Sequence, residues 1–355
     1  MTPALPVLTA TVEDGQALMP DEAAAAAHHL ADADVPLEEK ASFLSALAEK
    51  GETVDEVTAF ADVFRGLARD PGLSEWGDRA IDIVGTGGSR SGGFNVSTVS
   101  AFVVAACGVP VLKHGNRAIT SKSGSADFLS AAGIKISADP EVLRRSVEAL
   151  NFCFFFAPAF HPAFKHIMPV RKALAARGQR TIFNILGPLI NPAKPPYQLL
   201  GVFTPEWVKP LALTLDALRV QRGLAACATL PDDRKMDELA SVGENRVCGV
   251  GELANLDTTW RPVDFGMGQG FATELDGGSP DDNLTLFQAM LAGTAPSTLV
   301  DTICLNAGVA LVLARAAKDW PEGIARARSA LVDGTVAEWF KRAQAFYADV
   351  DPLIL

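Results

Sequence analysis

From Arg79 to Leu230 the chain alternates short apolar runs with helical segments, and this alternation restricts the possible folds more than any other feature. The runs are "RAIDIVG", "VPVLKHG", "NFCFFFAP", "YQLLGVF" and "GLAACATL". They are apolar at nearly every position instead of at every second one, as strands covered on both faces require. Between them, "STVSAFVVAACG" reads as an apolar helix closed by Gly108, "GSADFLSAAG" as a helix and "IKI" as a further strand. "DPEVLRRSVEALN" follows as a helix with Asp139 as cap and Pro140 in its first turn. Strands alternating with helices predict an α/β fold with a mostly parallel central sheet flanked by helices.

Ahead of this region lies an Ala-rich stretch with helical spacing, expected to form a small N-terminal helical domain. Its first dozen residues read as a loose tail. Pro36 and Gly51 mark the two ends of one helix, and Thr53 with Glu56 forms a capping box for the next. Val57, Phe60, Ala61, Phe64, Leu67 and Ala68 then recur as one buried stripe. The expected division is a helical domain over 1–75, with a tail over 1–15, joined by the helical segment 161–180. The larger α/β domain spans 76–355, returning to helices after about Pro280.

Composition excludes several classes of function. A net charge of −11 argues against general affinity for nucleic acid, which needs clustered Lys and Arg. No apolar run is long enough for a membrane span, and the start lacks the pattern of a secretory signal, so a cytoplasmic location is expected. The five cysteines are scattered without a C-x-x-C pair and read as reduced, buried thiols.

Four segments carry candidate chemistry. "DIVGTGGSRSGGFNVST", Asp82 to Thr98, places a glycine-rich turn between a strand and a helix, with Asn95, Ser97 and Thr98 at the helix start. That geometry suits an anion, although a plain strand-to-helix turn has the same composition. Its spacing is not the dinucleotide fingerprint. "KHGNRAITSKSGSAD" follows the next strand and carries Lys113, His114, Asn116, Arg117 and Lys122 among serines, which also describes a solvated basic loop. In "HPAFKHIMPVRK", His161 and Arg171 are ten residues apart and on helical spacing share a face; Arg171 suits a carboxylate or is a surface charge. In "RKMDELA", Asp237 and Glu238 are adjacent loop acids that either face water or, with substrate phosphates, hold Mg²⁺.

In order along the chain, "GTGG…FNVST", "KHGNR", "SKSGSAD", "HPAFKH…VRK", "RTIFNILGPLINPA" and "DEL" resemble the anthranilate phosphoribosyltransferase family, over nearly the whole length. The resemblance implies a glycosyltransferase that moves phosphoribose from phosphoribosyl diphosphate (PRPP) to anthranilate in tryptophan biosynthesis. It also implies a homodimer formed through the helical domain. It makes Gly85, Gly88, Asn95, Ser97, Thr98 and Lys113 a PRPP site, with Ser89 in the same loop. Gly115, Asn116 and Ser125 would line ribose and diphosphate, and Ser97, Asp237 and Glu238 would hold Mg²⁺. His114, Asn116, His161 and Arg171 would face the aromatic acid, with Phe164 as an apolar wall. Lys113, His114 and Arg171 are the residues expected to act in catalysis. The chain departs from the family pattern at Ser89, Gly93 and the longer segment "KALAARGQRT". Two rival readings are a diverged member using another acceptor and a ligand-binding homologue without catalysis. The presence of Asp237, Glu238 and Arg171 weighs against the latter.

Overall fold

The computed structural model describes residues 2–87, 93–118, 122–268 and 270–353. Four helices come first: α1 (Leu5–Glu13), α2 (Pro20–Ala31), α3 (Leu37–Lys50) and α4 (Val54–Gly66). The predicted tail is therefore a helix. Leu5, Leu8 and Val12 are buried in one core with α2, α3 and α4, and that apolar contact holds a short helix lacking a side-chain cap. The capping box of α4 forms as expected. Glu56 N–H donates to Thr53 Oγ1 (3.2 Å) and Thr53 N–H to Glu56 Oε2 (2.8 Å). Val57, Phe60, Ala61 and Phe64 are buried, but the predicted stripe ends there. The helix stops at Gly66, and Leu67 beyond it is 37% exposed.

The second part is built on β1 (Ile81–Gly85), β2 (Val111–Gly115), β3 (Phe152–Phe156), β4 (Tyr197–Gly201), β5 (Arg222–Thr229), β6 (Lys235–Met236), β7 (Glu244–Gly251) and β8 (Asp257–Trp260). Their order is β3-β2-β1-β4-β5-β7-β8, with β6 beside β5. The strands from β3 to β5 run parallel, whereas β6, β7 and β8 add antiparallel pairs. Ile134 to Ile136, read from the sequence as a strand, forms none; the pair Ile134 and Ile136 instead packs into the main core as irregular chain.

The continuous apolar runs follow from cores on both faces of the sheet. One face is buried by the main core and the other by two smaller ones, the third covering β2 and β3 through Leu112, Cys153 and Phe155. Along β5, Leu224, Ala226 and Ala228 enter one core while Ala225 and Cys227 enter the other. The first core lies beneath α5 (Val96–Ala106), α6 (Ser125–Ala131) and the four C-terminal helices. α7 (Pro140–Leu150), α8 (Ala157–Phe160), α9 (Met168–Ala176), α10 (Phe183–Leu186) and α11 (Val208–Ala217) complete the helices before Pro280. After it come α12 (Pro280–Leu291), α13 (Ser297–Leu313), α14 (Trp320–Val332) and α15 (Thr335–Ala348). The second core joins α1–α4 to α9, α10, α11 and the opposite sheet face. Among the described residues no helix is long and apolar enough to cross a membrane.

Chain order reverses at β1, which has β2 on one side and β4 on the other. In sheets of this kind the crevice at the carboxyl ends beside such a reversal is the usual ligand site. Gly85 of β1 pairs in register with Gly201 of β4, and Gly115 of β2 with Phe156 of β3, so these ends lie level.

Candidate active site

The carboxyl ends of β1 and β4 are closed from above by the Asp237–Glu238 segment. A Cβ on Gly201 would sit 1.5 Å from the Asp237 carbonyl oxygen, and one on Gly85 would sit 2.4 Å from Asp237 Oδ2. Glycine is therefore required at Gly201 so that the acidic backbone can approach, and at Gly85 a side chain would displace the Asp237 carboxylate. Asp237 Oδ2 accepts a 2.8 Å bond from Gly87 N–H, which ties the acids to the start of the glycine loop. Ser97, Gly201, Asp237, Glu238 and Asn306 line one cavity there. The sequence places Ser97 and the two acids far apart; the fold brings them together.

The electrostatics of this corner favour a cation. Burial, then the neighbouring Asp237, pushes the Glu238 carboxyl well above the usual carboxylate range, and Lys113 only partly offsets them. Lys113 does not point outward. It is buried, its Nζ donates to the Ile83 carbonyl, and Ser97 Oγ lies 3.4 Å away. Burial lowers its ammonium to about 8, while Asp82 and Glu238 hold it partly up. Two acids, one serine hydroxyl and a single recessed lysine make a site suited to Mg²⁺ completed by substrate oxygens and water.

Gly88 and Ser89, expected to contact PRPP, lie outside the described residues. Asn95 precedes α5 but does not cap it with its side chain. Its Oδ1 accepts from Ser123 Oγ (2.9 Å) and Asn283 Nδ2 (2.7 Å), which joins α5 to the loop before α6 and to α12. Thr98 is fully buried, and its hydroxyl has no partner among the described residues. Gly115 and Ser125 belong together, because a Cβ on the glycine would lie 2.4 Å from Ser125 Oγ. Ser125 Oγ donates to the carbonyl of Asn116, an exposed residue. Asp127 organises this loop by accepting from Ala118 N–H (2.8 Å) and Gly124 N–H (3.1 Å) and pairing with Arg117.

The remaining candidates gather where α4 meets the loops after β2 and β3. The His114 and His161 rings lie 5.1 Å apart, and His161 meets Phe164 edge-on at 5.5 Å. Phe164 also packs on Phe64 (5.1 Å) and Phe183 (5.4 Å), with the Arg171 guanidinium over Phe183 at 5.4 Å. His161 and Arg171 do reach one cluster, but not along a common helical face. A 3₁₀ turn (Pro162–His166) precedes α9, which carries Arg171 alone.

Burial, then His161, pushes the His114 imidazole down to about 3. Burial lowers His161 to about 4, with the Ile190 and Phe64 backbone partly opposing. Both rings are neutral at physiological pH. Nε2 of each is buried without a partner among the described residues. Burial also lowers the Arg171 guanidinium, for which no ion-pair partner occurs among the described residues; its contacts are Phe183 O (3.4 Å) and Met168 Sδ (3.9 Å).

Sequence reading missed three polar residues that hold this arrangement: Asp82, Asn191 and Gln198. Two of them had a usable signal, a lone polar residue inside an otherwise apolar strand run, in "RAIDIVG" and "YQLLGVF".

Comparison with known proteins accords with this geometry. Residues 77–337 match the glycosyl transferase family, a/b domain, and residues 7–68 match the glycosyl transferase family, helical bundle domain. The anthranilate phosphoribosyltransferase of Anaeromyxobacter sp. (strain K) is 42% identical over 336 residues, covering 95% of this chain and 96% of the relative. That of Shewanella sp. (strain ANA-3) is 39% identical over 327 residues, covering 91% and 92%. The crystal structure of anthranilate phosphoribosyltransferase from Thermus thermophilus matches with a TM-score of 0.84 at 38% identity, over 96% of this chain and 99% of that one. The Saccharomyces cerevisiae enzyme in complex with PRPP and Mg shares the fold, with a TM-score of 0.77 at 22% identity over 98% of both chains. The chain is a glycosyltransferase-type enzyme and belongs to the anthranilate phosphoribosyltransferase family.

Proposed function

We propose that this chain's residues divide between two ends of one reaction, the transfer of phosphoribose from PRPP to anthranilate with release of diphosphate. The amine nitrogen forms a bond to C1 of the ribose, the C1–O bond to diphosphate breaks, and the amine loses a proton. The family membership supports the reaction, and the geometry supports the assignment of residues.

At the acceptor end, the observation that carries the reading is Arg171: a largely buried guanidinium over the Phe183 ring, which packs on Phe164, with no carboxylate partner among the described residues. A carboxylate ligand would supply the missing charge through two parallel N–H bonds, and the rings would flank its aromatic body. Holding the acid there orients its amine, which is catalysis by positioning. His114 and His161, both neutral, would offer bare ring nitrogens to the amine N–H groups, and Asn116 is assigned to this end on family grounds.

At the donor end, Gly85, Gly115, Asn95, Ser125 and Thr98 would shape the walls around the ribosyl diphosphate. Gly88 and Ser89 are assigned there on family grounds alone. Ser97, Asp237 and Glu238 would hold Mg²⁺, which neutralises charge on a diphosphate leaving group when bound. Lys113 supports that corner from beneath by fixing Ser97 and countering Glu238. The helical part, residues 1–75 with 161–180, is the proposed homodimer contact, to be tested by sedimentation equilibrium.

The test of function follows loss of anthranilate fluorescence with PRPP and Mg²⁺, for the wild type and Arg171→Ala. Turnover by the wild type and a raised anthranilate KM in the variant are expected. No turnover at any anthranilate concentration would transfer the reading to another acceptor.

A further inference from the structure

The segment Gly187–Asn191 carries the carbonyl that faces His114, and buried polar side chains hold it at Pro188 and at Asn191. Gln198 of β4, 2% exposed, donates from Nε2 to the Pro188 carbonyl (2.8 Å). Asn191, 1% exposed, donates from Nδ2 to Asp82 Oδ2 and to the Leu112 carbonyl, both at 2.8 Å. One residue ahead of the first anchor, the Gly187 carbonyl lies 3.1 Å from His114 Nδ1. Gly187 has no Cβ contact to satisfy, since nothing lies within 4 Å of that position, so glycine is not needed there for space. What the segment presents to the site is its carbonyl.

A carbonyl oxygen only accepts. A neutral imidazole carries one N–H, so when Nδ1 faces a carbonyl it bears that hydrogen and Nε2 is left as a lone pair. This matches the buried Nε2 of His114, which has no partner among the described residues. We infer that the Gly187–Asn191 strap holds His114 in the Nδ1–H tautomer, and that Gln198 is a positioning residue for the acceptor end, acting through the Pro188 carbonyl without touching substrate. The wrong tautomer would present an N–H to an amine that itself donates, and the two donors would repel. The inference rests on the reading that His114 faces the amine of the acceptor.

The test is ¹⁵N NMR of the histidine rings in the full chain, which separates the two neutral tautomers by the shifts of the protonated and bare nitrogens. Five histidines make assignment practical, with His114→Asn identifying the signal. The wild type is expected in the Nδ1–H form. Gln198→Met, of similar length but without a donor, is expected to give a mixture of tautomers and to raise the anthranilate KM about tenfold to a hundredfold, the scale of lost positioning. The PRPP KM is expected to stay unchanged. Gln198→Thr serves as a second variant if the first does not fold. An Nε2–H wild type overturns the inference, as do folded variants with an unchanged tautomer and an unchanged anthranilate KM. Because the tautomer is read without turnover, a wild type inactive toward anthranilate would refute the functional reading and still leave the strap decided.

Discussion

Asp82 and Asn191, 109 residues apart in sequence, meet through a 2.8 Å hydrogen bond from the Asn191 amide to the Asp82 carboxylate. Asp82 is completely buried in β1, and burial raises its carboxyl to about 6, against the pull of Lys113 and the Asn191 bond. The bond thus links β1 to the strap whose Gly187 carbonyl faces His114. Asn191→Leu leaves a buried carboxylate short of a donor, and hydrogen bonds to charged groups are worth about 1.5–3 kcal/mol. A loss of that size in urea unfolding is expected, with a larger loss above pH 6, where the carboxyl is ionised. An unchanged midpoint would mean that water replaces the amide.

Arg171→Ala is expected to raise the anthranilate KM by the equivalent of about 2–4 kcal/mol, the cost of a lost charge-assisted pair. PRPP saturation is expected to be nearly unaffected. Steady-state kinetics with each substrate varied in turn decide it, and an unchanged anthranilate KM would return Arg171 to an aromatic packing role over Phe183.

Glu238 carries a raised pKa, so the folded state binds its proton more readily than the unfolded one. The ionised form therefore costs stability above the folded pKa, and that cost fades as pH falls. Metal-free Glu238→Gln is expected to melt at an equal or higher temperature than the wild type at pH 8, with the difference shrinking on acidification. Its Mg²⁺-dependent turnover is expected to be largely lost, and wild-type Mg²⁺ affinity to rise with pH, because the ligand must be deprotonated. A lower metal-free Tm in the variant would mean that the carboxylate is stabilising as it stands.

The histidine pair has the opposite sign of pH dependence from Glu238. His114 at about 3 and His161 at about 4 bind protons less readily folded than unfolded, where 6.5 is ordinary. Stability is therefore lost as pH falls from about 6.5 toward 4, at about 1.4 kcal/mol per unit of difference. A His114→Asn, His161→Asn double variant is expected to lose less over that interval than the wild type. Denaturant unfolding at pH 7.0, 5.5 and 4.5 measures the difference, and parallel curves would place the titrating groups elsewhere.

Gly201→Ala puts a methyl group where the Asp237 carbonyl sits, at 1.5 Å. The acidic segment must move, and misplacement of about 1 Å is enough for about a hundredfold loss of rate. Activity is expected to fall by that order with a shift in Mg²⁺ dependence, whereas Gly187→Ala, with open space around it, is expected to leave stability nearly unchanged.

Strands β1 to β5, many helices and their punctuation were legible in the sequence because they depend on neighbours a few residues away, whereas β6, β7 and β8 were not read as strands. The capping box of Thr53 and Glu56, the Asp139 cap and the unbroken apolar runs of β3 and β5 are of this kind. Local pattern failed where distant contacts decide. The helix Leu5–Glu13 has no side-chain cap and forms by burying Leu5, Leu8 and Val12 against later helices, while Ile134–Ile136 has the composition of a strand but packs into the core without one. The candidate site divides in the same way. Residue types near the ends of strands, together with the family motifs, marked Ser97, His114, Arg171, Asp237 and Glu238 as candidates. Only the tertiary structure decided that Lys113 turns inward, that Asn95 bridges to Ser123 and Asn283, and that Asp82, Asn191 and Gln198 support the rest. Buried polar groups must find partners, and no local rule states which residue a hundred positions away will supply one.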